Sequence, residues 1–268
     1  MSPARKYRAL SSSEITTLTG NSCHCSDWSK ISVLQGFDPA RFRNVTFSGT
    51  VRLGSFSGTY TDDSGVTAAC GISNAHIHNC TIGSDALIRN IGDYIANYNI
   101  GDNVVIKDCG RIHTEGRSTF GNGTEVAVLN ETGGRAVRIW DRLSAHEAYI
   151  IALYRHRSKA IEKIEAMISG YAESVASETG TIGKNTRIHD CRIIRNVRFG
   201  EYSRVEGTMS LSEGSVNSCA EDPVLIGPGV IMEHFIVCSG SIVTESTLID
   251  KCFIGQGCVL GKHYSAEN

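Results

Sequence analysis

The sequence has no long apolar run. No window approaches the ~18 consecutive apolar residues that read as a membrane span, so a membrane protein is not expected. Basic clusters are missing as well. Lys and Arg total 26 against 28 Asp and Glu, without the positive patch that a phosphate-backbone binder needs, and nucleic acid is not an expected partner. Residues Met1 to Leu10 carry Arg5, Lys6 and Arg8 but no apolar stretch after them, so no secretory leader is read and the expected compartment is the cytoplasm. In that setting the 10 cysteines are reduced thiols rather than a disulfide framework. Cys23-His24-Cys25 lacks a second, distant Cys/His pair, so no metal site is expected. Aromatic residues are few, at 7%, yet 41% hydrophobic residues suffice for a sizeable core.

What is present is a repeat. From Val230 aliphatic residues fall every sixth position: Val230, Ile236, Ile242, Leu248, Ile254 and Leu260. That period suits neither an amphipathic helix nor an alternating strand. It suits a triangular coil, in which each flat side sends one aliphatic side chain to the axis. Three sides make a turn of about 18 residues, a period seen separately where Ile77 recurs as Ile95, Ile82 as Ile100 and Ile88 as Ile106. Glycine follows the inward aliphatic in Ile82-Gly83, Ile100-Gly101, Ile182-Gly183 and Phe199-Gly200, where it relieves a tight corner. The aliphatic series predicts that Ile236, Ile242, Leu248 and Ile254 share one buried axis. Cys80, Cys109, Cys191 and Cys252 read as small corner fillers.

The pattern stops between Asp141 and Ser177, where Pro is absent and good helix formers dominate. Ser144 and Glu147 form a capping-box pair, and a heptad stripe runs Ile150, Tyr154, Arg157, Ile161, Ile164, Ile168, Tyr171, Val175. One helix, or a hairpin broken at His156–Ser158, is expected, its stripe packed on the chain's own coil or on a neighbour's. The organisation is therefore read as an N-terminal cap (1–43, helical over Ser11–Leu18), a first β segment (44–140), a helical insertion (141–178) and a second β segment (179–268).

These residues resemble the hexapeptide-repeat transferase superfamily over roughly Asn44 to Trp140 and Thr179 to Lys262. More closely they resemble a bacterial family of uncharacterised hexapeptide proteins, through Tyr7-Arg8-Ala9-Leu10, Asn130–Arg135, Tyr154–Arg157, Gly255–Cys258 and Ser265–Asn268. Members of that family are usually longer, which implies that this chain is an N-terminal part. The resemblance implies a mainly β fold, a left-handed parallel β-helix interrupted by a long α-helix or helical hairpin, and a homo-oligomer, with a trimer favoured. It also implies acyl transfer from acyl-CoA, a cosubstrate rather than a covalently bound cofactor, to a sugar or nucleotide sugar, with a histidine as base. A non-catalytic β-helix serving oligomerisation or ligand presentation is the alternative.

Among nine histidines, His113 is the best placed, near Glu115, which can orient it, and just before a glycine-rich departure from the repeat. His234 beside Glu233 is a second candidate. His78 and His189 sit in matching Ile-His-Asx-Cys contexts, as Lys107 does, and read as surface stacking. Asn130, Glu131, Gly133, Gly134 and Arg135 form the segment most suited to an anion or sugar nucleotide, with backbone N–H groups exposed by glycine and a guanidinium fork.

Overall fold

A computed structural model describes residues 5–128 and 133–267. The chain is mainly β, and its principal sheet is almost wholly parallel. Pairing follows three ladders. One runs through the start of Gly71–His78 (Gly71 to Ser73, its end joining the second ladder), Leu87–Arg89, Val105–Lys107, Arg187–His189, Arg204–Glu206, Leu225–Ile226, Ile242–Val243 and Val259–Leu260. A second joins Ile95–Ala96, Arg111–His113, Ile193–Phe199, Ser210–Asn217, Ile231–Cys238, Leu248–Asp250 and Ser265–Glu267. The third stacks Val51–Leu53, Thr81–Ile82, Tyr98–Ile100, Gly180–Ile182 and Val197 to Phe199. Period-2 alternation sends one side chain per short strand inward. Ile72, Ile77, Ile82, Ile88, Ile95, Ile106, Ile112, Ile182, Ile188 and Ile194 belong to one continuous core.

The 18-residue repeat appears directly as the pairs Ile77↔Ile95, Ile82↔Ile100 and Ile88↔Ile106. The six-residue series is corrected in the second segment. Ile242 and Leu248 are 37% and 47% exposed, while their neighbours Val243 and Ile249 fill the core, as do Val237, Ile254 and the partly buried Leu260. Ile236 is buried, but on the outer side, against Val126 and Ile139. The inward spacing from Val237 is six, six, five and six, so one corner per turn loses a residue and a strict six cannot stay in phase.

Glycine after the inward aliphatic is required by close approach rather than by backbone freedom. A Cβ on Gly83 would lie 2.5 Å from the Gly101 carbonyl carbon, and one on Gly101 2.6 Å from the Lys184 amide nitrogen. Other corners are left-handed and carry asparagine, which tolerates that conformation. Asn74 and Asn90 have φ of 52° and 55°. Their amides form a ladder in which Asn44 donates to Asn74 at 3.0 Å, Asn74 to Asn90 at 2.9 Å and Asn90 to Asp108 at 2.8 Å.

Helix α1 (Ser12–Gly20) starts at a Ser11/Glu14 capping box and seats Leu18 in the core. The insertion is a helical hairpin, α2 (Ala145–Leu153) and α3 (Ser158–Val175), broken at Tyr154–Arg157. Ser144 accepts from the Glu147 amide, but Glu147 accepts from the Trp140 indole instead of closing a reciprocal box. Ile161 and Ile168 are covered within the chain, Ile168 in a cluster with Val137, Trp140 and Ile151, whereas Ile150 and Tyr154 of the same stripe are exposed. Asp141 anchors the hairpin to the sheet: it accepts from Tyr171 at 2.8 Å and Asn217 at 3.0 Å and pairs with Arg198.

Candidate functional site

The second ladder brings residues of distant sequence into one outward column: Ser48, His78, Ala96, His113, Arg195, Ser212, Glu233, Asp250 and Glu267 succeed one another in register. Neighbouring strands stand ~4.8 Å apart, so side chains in such a column touch unless one is small. Ala96 is that small residue. Its methyl group leaves a gap between the His78 and His113 imidazoles, and there a cleft of about 340 Å³ opens, lined by His76, His78, Tyr94, His113, Thr114 and Glu115 among others.

His113 is 7% exposed, and its Nδ1 has no hydrogen-bond partner among the described residues. Thr114, 1% exposed, likewise leaves its Oγ1 without a partner among the described residues. Burial pushes the His113 pKa down, against an upward pull from Glu115, which favours the neutral imidazole. Its Nε2 stands 3.6 Å from Glu115 Oε2, too far for a hydrogen bond. Glu115 instead pairs with Arg195 at 3.3 Å, and Arg195 also meets Glu213 at 3.3 Å. Tyr94 packs edge-on against His113 at 5.8 Å and carries the Arg111 guanidinium on its ring at 5.1 Å.

On the opposite wall the hydrogen-bond order defines a tautomer. Asn79 Nδ2 donates to His78 Nε2 at 2.9 Å, which leaves the proton on His78 Nδ1. That N–H donates to Ser48 Oγ at 2.8 Å, and the hydroxyl donates to His76 Nε2 at 3.0 Å. The cleft thus opposes two hydrogen-bonded imidazoles to one that is buried with its Nδ1 unpartnered.

His113 and Glu115 line the same cleft, but Glu115 pairs with Arg195 rather than orienting the imidazole. His234 is not with them; it follows Glu233, three strands further along the column. Gly133, Gly134 and Arg135 are exposed, in the connection between Glu125–Val126 and Val137–Arg138, and do not line the cleft. Asn130 and Glu131 lie outside the described residues. The equivalence of His78 with His189 is corrected too, because His189 pairs with Lys107 on the first ladder while His78 pairs with Ala96 on the second. His76, Tyr94 and Thr114 were not anticipated. An available signal was the 18-residue step, which carries His76 to Tyr94 and His78 to Ala96.

The cysteines are free thiols. Cys80, Cys109, Cys191 and Cys252 each turn Sγ toward the carbonyl oxygen two residues back, at 3.1–3.2 Å. Burial pushes the Cys80 thiol up to about 12, which suits a filler and not a nucleophile. No helix among the described residues is long and apolar enough to cross a membrane.

Fold and cleft define a mainly β protein of stacked parallel ladders with a histidine-lined outer site. The chain belongs to the family of the domain of unknown function DUF4954, whose model matches residues 7–268. It is similar to an uncharacterized protein of Treponema pallidum (strain Nichols), with 31% identity over a 246-residue alignment that covers 88% of this chain and 34% of that protein. The chain thus spans about a third of that relative's length. Membership of the hexapeptide-repeat transferase superfamily, or of an uncharacterised branch of it, is corrected by this match. An aliphatic-glycine repeat reports stacked short strands, a property of backbone geometry rather than of one lineage.

Proposed function

We propose that the chain winds as a left-handed parallel β-helix and holds a small molecule between His78 and His113, with His113 as the proton acceptor. The observation that carries this reading is the His113 imidazole, buried on the wall of a cleft with its Nδ1 unpartnered. In its enzymatic form the acceptor is a hydroxyl or amine of a sugar or nucleotide sugar and the donor is acyl-CoA. His113 takes the acceptor's proton as its oxygen or nitrogen bonds to the thioester carbonyl carbon. The C–S bond then breaks, and the departing thiolate recovers the proton from the imidazolium. Free thiols throughout the chain support a reducing, cytoplasmic setting. Outward aliphatic residues, Ile231 and Leu248 with Ile193 beyond Ser210 on one ladder and Leu225, Ile242 and Val259 on another, support self-association, with a trimer as the expected form.

A non-catalytic, ligand-presenting reading draws on one specific observation: Glu115 is held by Arg195 and does not orient His113. Thermal-shift titration with acyl-CoAs and nucleotide sugars, followed by turnover assays, separates the two. Ligand binding to the native state raises the melting temperature. Ala96→Leu, which fills the gap between the imidazoles, is expected to abolish that rise, and His113→Gln to abolish turnover while preserving the fold. Binding without turnover assigns the chain to ligand presentation. A rise that survives Ala96→Leu refutes the cleft.

A further inference from the structure

We propose that Glu233, His234 and Asp250 form a binding site for a divalent first-row transition-metal cation. The site lies three strands along the column from the His113 cleft and shares none of the residues lining it.

Glu233 and Asp250 are register partners on adjacent parallel strands, so their carboxylates leave the same face of the sheet. His234 has φ of 49°, and its imidazole Nδ1 stands 3.8 Å from Glu233 Oε1 and 3.6 Å from Asp250 Oδ1. One ligand atom from each of the three residues lies within 4.8 Å of the other two. These separations are too long for hydrogen bonds. His234 Nδ1 and Asp250 Oδ1 are nonetheless shielded from solvent and have no hydrogen-bond partner among the described residues. Two polar atoms that have lost water and face each other unbonded mark a place for a third party, and a cation satisfies both along with Glu233.

The donor set defines the cation. One imidazole nitrogen and two carboxylate oxygens, without thiolate, suit Mn²⁺, Co²⁺ or Zn²⁺ rather than Cu⁺. Bonds of ~2.1 Å put cis or tetrahedral ligand atoms about 3.0–3.4 Å apart, so the two His234 separations need shifts of only a few tenths of an ångström. Cationic side chains flank it: Arg195 lies 3.9 Å from Glu233 Oε1, and Lys251 lies 3.9 Å from Asp250 Oδ2, the oxygen not turned toward His234. Glu267 pairs with Asp250 on the next strand and brings a further carboxylate to the same column. Three ligands leave the rest of the coordination sphere to water or to an oxygen-donor ligand.

Mn²⁺ is the probe, because thiols compete poorly for it. The metal-free chain is titrated by calorimetry, with the signal of free Mn²⁺ followed in parallel by electron paramagnetic resonance. One saturable site per chain is expected. His234→Asn keeps a residue tolerant of left-handed backbone, and Asp250→Asn keeps the side-chain shape. Each is expected to weaken binding at least about tenfold, since even outer-shell losses cost ~10–100-fold. His113→Gln is expected to bind as the parent does. Absence of saturable binding, equal binding in both site variants, or weakening by His113→Gln would each overturn the proposal.

Discussion

Two stretches of the same outward column, His78 to His113 and Glu233 to Asp250, sit on nearly identical scaffolding and differ in what surrounds them. Beneath both, inward aliphatic residues form one core. In the first stretch Ala96 interrupts the column and makes room for a molecule between imidazoles. In the second no small residue intervenes, and acidic groups on adjacent strands close directly on a corner histidine. Inward positions carry stability, while the outer columns can be rewritten strand by strand because each strand touches only its neighbours.

The sharpest way to break that separation is to place a charge on either side of one strand. Val243→Asp sets an unpaired carboxylate in the core, where Val243 is 0% exposed, and is expected to cost several kcal/mol and to yield little folded protein. Ile242→Asp, one residue away on the outside, is expected to stay within about 1 kcal/mol of the parent. Comparable loss from both, measured by chemical denaturation, would mean that the inner and outer faces are misassigned.

A smaller effect is expected in the hairpin. Ile168 is fully buried against Val137, Trp140 and Ile151, so Ile168→Ala should destabilise by about 2–5 kcal/mol with no change of mass in light scattering. Unchanged stability with a smaller particle would move the stripe to an interface between copies.

The smallest effect concerns pH. Burial lowers the pKa of both His113 and His189, so the folded chain binds fewer protons than the unfolded chain, whose histidines titrate near ~6.5. Stability from these two groups is complete above that value and declines as pH falls below it toward the folded values. Denaturation midpoints between pH 7.5 and 5.5 should therefore fall, and less steeply in His113→Gln. An identical slope in the variant would show that His113 is not held neutral by the fold.

Much of the fold was legible because one aliphatic per short strand, repeating every 18 residues, has few physical explanations. The second segment misled because it carries apolar doublets, Ile236-Val237, Ile242-Val243 and Leu248-Ile249. Either member fits a six-residue series, and only the five-residue step from Ile249 to Ile254 reveals which one faces inward. At the site, the residue pair His113 and Glu115 was readable from local sequence. The cleft was not, because it depends on Ala96 being small, and an alanine carries no chemical signal until its neighbours in the column are known. The metal-type cluster was hidden for a similar reason, since Asp250 meets His234 only through strand pairing.

The helical hairpin enters between strands that remain direct neighbours. Val105 pairs with Arg187, 82 residues on, whereas Arg187 pairs with Arg204 after 17. In polymer terms, lengthening that loop raises the entropy cost of closing it by only about 1.4 kcal/mol, which a well-packed hairpin readily offsets. The kinetic consequence is larger. Every other joint in the second segment closes over a short span, so the two β segments can each form from local contacts, while the joint between them must wait for a distant encounter. If α2 and α3 fold first, the loop's ends are drawn together and the encounter becomes local. The insertion would then be a gate on the order of assembly, and the end of the first segment, where Val126 and Ile139 pack on Ile236, would be completed only once the second segment has formed.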